Sequence, residues 1–375
     1  MKPQNWYGLS VISFTQNGAR LAKRLTQILG QEQEGIFIYT KCRECIKDSQ
    51  FGIPVKTPAA QWAGERMREK SALLFIGACG IAVRSIAPFV TDKLQDAPVL
   101  VMDEQGRYVI PVLSGHMGGA NELALYLAEK TGAAPVITTA TDLNRKFAVD
   151  LFAKQNGLWI ENKEEIVKVS SKILAGMEVT VSIETGHIET GHFEAGHIET
   201  GRFGGVLPEG VRLVPYPPAE PVDIVVTSEQ KPFAAAILLK PKRYVLGVGC
   251  RKGKSYGELD AFIRKRLDML GIQAWQIYAI ASIVQKKGEP GLLEWSRKNR
   301  APFLTYTAQE LKSVDGEFSE SAFVKGQVGV GNVCERAAVK ACGESGGCLL
   351  LHKQAENGMT LAIAKREWKV CFYGE

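Results

Sequence analysis

Residues 108–132 read YVIPVLSGHMGGANELALYLAEKTG. The run 108–113 is almost wholly apolar, the pattern of a strand buried on both faces. From Ala120 onward the apolar positions recur at helical spacing, and the run closes at Gly132, a helix-ending residue. Between them lies Ser114-Gly115-His116-Met117-Gly118-Gly119. Strand, glycine loop and helix in this order form the repeating unit of an α/β sheet.

Working outward, the same alternation holds across the first 140 or so residues. WYGLSVISFT reads as a strand, and NGARLAKRLTQILG as a helix with Leu21, Leu25 and Ile28 on one face. GIFIYT, SALLFIGACGIAV, APVLVMDE and RYVIPVL read as further strands, and APVITTATD follows the helix that opens at Ala120. Alternating strands and helices predict an α/β, multi-domain protein with mainly parallel sheets covered by helices on both faces. Ligands in such sheets bind at the carboxyl ends of strands. The reading places Gly77-Ala78-Cys79-Gly80 there, together with the loop at 114–119.

The chain has 375 residues, more than one ordinary core holds, so two or three domains are expected. With 45% apolar and 23% charged residues the composition is that of a globular protein rather than a disordered one. No run of about 18 apolar residues suggests a membrane span. The opening MKPQNWYGLSVISF lacks a signal-peptide pattern, and eight cysteines without such a signal point to reduced thiols in the cytoplasm. Cys42 and Cys45 form a lone C-x-x-C with no second pair at metal-ligand spacing, so they read as incidental thiols. The net charge of +6 is mild and dispersed. It favours an anionic small molecule over nucleic acid, since no basic stripe interleaved with aromatics occurs.

The first domain is expected over 1–141. A middle α/β domain, 142–230, opens with FAVDLFAKQNGLWI and KEEIVKVSSKILAG as helices. It carries a four-copy pentapeptide repeat at 184–203, ETGHI-ETGHF-EAGHI-ETGRF, with His187, His192 and His197. A spacing of five scatters the rings in a helix or strand, so the repeat reads as an expansion in an exposed hairpin or loop rather than a metal tract. PYPPAEP at 215–221 is a stiff connector, and VDIVVTSE is a strand. A third α/β domain, 241–375, begins KPKRYVLGVGC and ends in GCLLLHKQAENGMTLAIAKRE, a hairpin turning at Asn357-Gly358. His352, in its first strand, reads as structural.

Two glycine loops carry the candidate chemistry. Gly115, Gly118 and Gly119 let backbone approach a ligand closely. His116 offers acid–base chemistry near neutral pH, and Asn121 and Glu122 fall in the first turn of the following helix, where Glu122 complements the helix dipole. The second loop is Gly247-Val248-Gly249-Cys250-Arg251-Lys252-Gly253-Lys254-Ser255. It misses both nucleotide fingerprints by one residue: three residues, not four, separate Gly249 from Gly253, and Gly253 arrives late for the dinucleotide pattern. What it retains is a glycine turn before a helix with basic residues, suited to a carboxylate or a phosphate.

Taken together, FIGACGIAVRSIAPFVTDKLQDAPVLVMDEQGRYVIPVLSGHMGGANELA, GVGCRKG, IASIVQKKGEPGL and VGVGNVCERAA resemble the cobalt-precorrin-5A hydrolase family of anaerobic cobalamin biosynthesis. The resemblance spans nearly the whole chain, the pentapeptide repeat being the departure from it. It implies a cobalt-bearing corrin precursor as substrate, whose δ-lactone is opened by water and whose two-carbon fragment leaves as acetaldehyde, giving cobalt-precorrin-5B. Cobalt belongs to the substrate, and no cofactor or protein metal is implied. The substrate's rim of carboxylates would meet Gly77, Gly80, Arg84, Ser114, Gly115, Gly118, Gly119, Asn121, Gly247, Gly249, Arg251, Lys252 and Gly253. His116 would serve as general base with Gly118 and Gly119 N–H groups at the oxyanion, and His116 or Glu122 would take the alcohol proton before acetaldehyde departs. Two other readings stand beside it: a non-catalytic tetrapyrrole carrier and a nucleotide-binding enzyme. Contacts with neighbouring pathway enzymes and the oligomeric state are left open by the sequence.

Overall fold

The computed structural model describes residues 8–30, 35–92, 96–139, 146–184, 207–319, 326, 329–343 and 346–372. The chain divides into two compact units, Met1–Arg145 and Lys146–Glu375.

The first unit holds β1 (Leu9–Ser13), α1 (Gln16–Leu29), β2 (Ile36–Thr40), β3 (Ile53–Pro54), α2 (Ala59–Arg68), β4 (Ala72–Ile76), α3 (Cys79–Ile86), β5 (Val99–Met102), β6 (Tyr108–Leu113), α4 (Ala120–Thr131) and β7 (Ala134–Pro135). The strands form one sheet in the order β3-β2-β1-β4-β5-β6-β7. Strands β3 to β5 in that row run parallel, and β6 turns antiparallel to β5. Alternation along each strand sends side chains to two cores. Leu9, Val11, Leu74, Ile76, Leu100 and Met102 pack with Leu25 of α1 and Leu123 and Leu127 of α4. Ile12, Leu73, Phe75, Val99 and Val101 pack with Trp62 and Met67 of α2 and Ile86 of α3. Helices therefore cover both faces.

One segment departs from its reading. SALLFIGACGIAV is a strand only to Ile76; at Gly77 the backbone takes φ 154°, and a helix begins at Cys79. The apolar run continues because α3 buries Ala82 and Ile86 against the same sheet, so composition alone conceals the break. Cys42 and Cys45 are free and buried, and burial, with Cys42 close by, pushes the Cys45 thiol up to about 11.

The second unit contains two five-stranded sheets. Its first part comprises α5 (Val149–Gln155), β8 (Leu158–Ile160), α6 (Ile166–Leu174), β9 (Val179–Ile183), β10 (Val211–Val214), β11 (Val222–Val226) and β12 (Ala235–Pro241). The strand order is β10-β9-β11-β12-β8, parallel except for β8. The stretch FAVDLFAKQNGLWI is thus helix only to Gln155; Gly157 turns the chain at φ 64° and LeuTrpIle becomes the edge strand. The repeat lies outside the described residues beyond Glu184. The strands flanking it, β9 and β10, are parallel neighbours, so their connection crosses from one end of the sheet to the other. A hairpin, which joins antiparallel strands, is excluded.

The remainder comprises β13 (Tyr244–Cys250), α7 (Tyr256–Met269), β14 (Ile277–Ile283), α8 (Pro290–Asn299), β15 (Phe303–Tyr306), α9 (Ala308–Lys312), α10 (Cys334–Lys340), β16 (Gly347–Glu356) and β17 (Met359–Arg366). The order is β15-β14-β13-β17-β16. As read from Asn357-Gly358, β16 and β17 form a hairpin, and both turn residues have positive φ, 48° and 74°. Within this unit the two sheets are tied together: Asn156 donates to the Cys371 carbonyl at 3.0 Å and accepts from its N–H at 2.7 Å, and Trp159 lies 6.2 Å from Trp275.

Candidate functional site

The loop after β6 is closed upon itself. Ser114 leaves the strand with φ 58°, and its carbonyl accepts the Ala120 N–H at 3.1 Å. The Gly115 carbonyl accepts from Asn121 N–H, and the His116 carbonyl from Gly119 N–H, each at 3.1 Å. Gly119, at φ 84°, caps α4 in the left-handed region that suits glycine. Its N–H is already used, so the oxyanion role expected of both Gly118 and Gly119 narrows to Gly118.

Each glycine in the loop has a steric reason. A Cβ on Gly118 would stand 2.4 Å from the Ser114 Cβ and 2.8 Å from its carbonyl oxygen. One on Gly115 would stand 2.8 Å from the Asn121 side-chain oxygen. Asn121 is therefore a buried prop beneath the loop, and its amide donates to Thr139 Oγ1 at 3.1 Å. Glu122 is exposed in the first turn of α4, and His116 is half-buried. Ser114 Oγ is enclosed and makes no hydrogen bond among the described residues.

A residue outside the motif completes the support. The buried Asp96 carboxylate accepts from Thr91 N–H, Thr91 Oγ1 and Asp92 N–H at 3.0–3.2 Å. The Asp96 carbonyl oxygen would lie 3.3 Å from a Cβ on Gly118. The sequence reading passed over Asp96 because only chain folding brings the loop before β5 against the one after β6.

Gly77, Gly80 and Arg84 are grouped elsewhere. Register pairs Leu113 with Val99 and Val99 with Leu73, so the His116 loop sits level with the start of β4. Gly77 follows Ile76, at the end of β4, and donates to the Met102 carbonyl. Each loop follows the carboxyl end of its own strand, but the reversal at β6 sends them to opposite ends of the sheet. They stand about 10 Å apart along the strand direction and two strands apart across it. The exposed Arg84 folds back, its guanidinium 3.2 Å from where a Gly80 Cβ would be.

The loop after β13 belongs to the second unit and has a mixed character. Gly247 does not face a ligand. It is buried in mid-strand, and a Cβ there would stand 1.8 Å from the Cys334 carbonyl oxygen of α10. Its role is to let that helix approach the sheet. Gly249 is likewise in the strand, close to the Thr360 hydroxyl. Gly253, at φ 82°, donates its N–H to the carboxylate of Glu289, a buried side chain that also meets Lys286 Nζ at 3.1 Å. The chain's own carboxylate thus occupies this donor, which motif spacing could not reveal because Glu289 arrives from the loop after β14. Arg251 and Lys252 are exposed; the Arg251 stem lies over Gly358 of the hairpin turn. Among the described residues no group of three or more His, Cys, Asp or Glu could hold a metal ion, and no helix is long and apolar enough to cross a membrane.

Comparison with known proteins adds what geometry alone lacks. Residues 61–142 match the Cobalamin synthesis G N-terminal family, and residues 244–364 match the Cobalamin synthesis G C-terminus family. A cobalt-precorrin-5A hydrolase from Salmonella typhimurium is 34% identical over 97% of this chain and 98% of its own length. A protein of the same name from Priestia megaterium is 30% identical over 95% of this chain and 94% of its own. With both terminal matches in place and the likeness running end to end, the chain belongs to the cobalt-precorrin-5A hydrolase family, enzymes of cobalamin biosynthesis.

Proposed function

We propose that this hydrolase acts on cobalt-precorrin-5A, opening its δ-lactone with water and releasing acetaldehyde to leave cobalt-precorrin-5B. The observation that carries the reading is the half-buried His116 in a loop whose backbone is fixed on three sides by Ser114, Asn121 and Asp96. A loop so constrained presents an imidazole and a backbone donor in fixed relation, as acyl hydrolysis demands. His116 takes a proton from water as the water oxygen bonds to the lactone carbonyl, Gly118 N–H meets the developing oxyanion, and the protonated ring returns the proton to the departing alkoxide. Cobalt enters and leaves with the substrate, so the reaction as proposed calls for no cofactor of the protein's own.

The remaining polar groups serve the substrate's carboxylates. Arg251, Lys252 and Gly249 in the second unit, and Gly77, Gly80 and Arg84 in the first, are proposed as contacts to that rim. We place the protein in the cytoplasm, working on a small-molecule corrinoid rather than nucleic acid, and regard 1–141, 142–230 and 241–375 as three α/β modules.

The test compares His116→Asn with Glu122→Gln in purified protein, with released acetaldehyde trapped and counted. His116→Asn should fold, bind substrate and lose roughly 10²–10⁴-fold in rate, the usual worth of a positioned acid–base group. Glu122→Gln should keep its rate and lose about 0.3–1 kcal/mol of stability through the helix dipole. The reverse pattern would move the base to Glu122.

A further inference from the structure

Of the chain's five histidines, two lie among the described residues, and the second is not idle. His352 stands on β16 with its side chain 72% exposed, and its Nδ1 lies 3.5 Å from Oε1 of Glu335, whose side chain is wholly buried. Glu335 comes from α10 and is gripped from several sides. Its carboxylate accepts from Lys353 N–H at 2.8 Å, Ser319 N–H at 2.9 Å and Ser319 Oγ at 3.2 Å. Burial would raise its pKa, but those hydrogen bonds and the nearby His352 hold it below the ordinary carboxylate value, so it is an anion at neutral pH.

The strand is shaped around this contact. Leu351 pairs with Ile363 and Gln354 with Leu361, so one extra residue is accommodated between them. At this bulge Lys353 N–H turns to Glu335. Bulges re-aim side chains and gather near active sites. Gly247 contributes from beneath: only a residue without Cβ allows the first turn of α10, and with it Glu335, to come this close to the sheet. Glu335 is already satisfied by three donors without His352. Packing has no use for an imidazole in solvent, so the ring's position calls for a chemical reason.

We propose that His352, oriented by Glu335, is a second acid–base residue of this enzyme, serving the release of acetaldehyde after the lactone has opened. A carboxylate facing Nδ1 settles the ring hydrogen there and leaves Nε2 as the acceptor. Lactone opening needs an oxyanion donor beside the base, which the His116 loop has. The second step needs only a base. Nε2 takes the proton of the C20 alcohol, the oxygen's electrons form the aldehyde carbonyl, and the bond from C20 to the macrocycle breaks. Its electron pair passes to the macrocycle carbon, which is protonated in turn by the imidazolium, so His352 ends neutral. This assignment rests on the reaction proposed above.

The experiment uses full-length His352→Gln with cobalt-precorrin-5A, following trapped acetaldehyde and the mass of the corrinoid. An exposed side chain can be changed without unfolding the protein, so a rate loss reports chemistry. Acetaldehyde release should fall by roughly 10²-fold or more, with substrate binding unchanged and the ring-opened hydroxy acid accumulating. Glu335→Gln should show the same accumulation. Acetaldehyde at the wild-type rate from His352→Gln would overturn the proposal while leaving the lactone reading intact, as would loss of ring opening itself. Absence of acetaldehyde from the wild-type protein would remove both.

Discussion

A single methyl group tests how tightly the second unit is built. Gly247→Ala places a Cβ 1.8 Å from the Cys334 carbonyl oxygen and 2.9 Å from the Ala338 Cβ. Neither neighbour is the end of a flexible side chain, so α10 and the sheet must move apart. The expected loss is about 1–3 kcal/mol, the range for overpacked cores, read as a lower urea midpoint. An unchanged midpoint would show that the helix yields at no cost. The same position shows how far a motif can mislead. A glycine strand before a basic turn reads as a ligand loop, yet Gly247 is filled from behind by a helix more than 80 residues later in the chain. The glycines of 115–119 were legible because their partners, Ser114 and Asn121, sit in the same motif. Asp96, Glu289 and Glu335 were not, since each acts across a distance in sequence that only tertiary contact closes.

At the scale of elements, one buried carboxylate joins three of them. Asp223 of β11 accepts from Lys172 Nζ of α6 at 2.7 Å and from Thr180 N–H and Oγ1 of β9 at 2.8 and 2.9 Å. Burial would raise its pKa, but these bonds prevail and hold it below the ordinary 3.8. A lowered native pKa means stability that is present above 3.8 and fades as the pH falls through it. Asp223→Asn should cost about 1–2 kcal/mol at pH 7, modest for charged bonds because Lys172 is one-third exposed. The gap between wild type and variant in urea unfolding should narrow below pH 4; a gap independent of pH would mean that the charge contributes nothing. The elements themselves were readable where apolar period and glycine stops agreed, as in α1, α4 and the final hairpin. They were misread where one apolar run serves two elements, at 71–83 and 147–160. In both cases the glycine marking the joint, Gly77 or Gly157, has positive φ and lies inside an otherwise continuous pattern.

For the whole molecule, strand direction is what sequence pattern left undetermined. Apolar runs announce strands without saying which way a neighbour points, so the reversal at β6 and the parallel pairing of β9 with β10 both went unseen. The second has a consequence for the pentapeptide repeat. Residues 184–210 connect the carboxyl end of β9 to the amino end of β10, and Glu184 is anchored there by Ser228 N–H at 2.6 Å and Thr227 Oγ1 at 2.9 Å. A parallel crossover needs a dozen or more residues. Deleting 189–198, two of the four copies, leaves enough chain, and the change in loop-closure entropy is only about 0.4 kcal/mol. Thermal midpoint and acetaldehyde release should both stay at wild-type values. Removing all of 184–203 leaves only residues 204–210 and discards the Glu184 anchor, so β10 should detach from the sheet edge and the thermal midpoint should fall. Were the full excision as stable and active as the shorter one, β10 would not need its place beside β9, and the edge of that sheet would be dispensable to the enzyme.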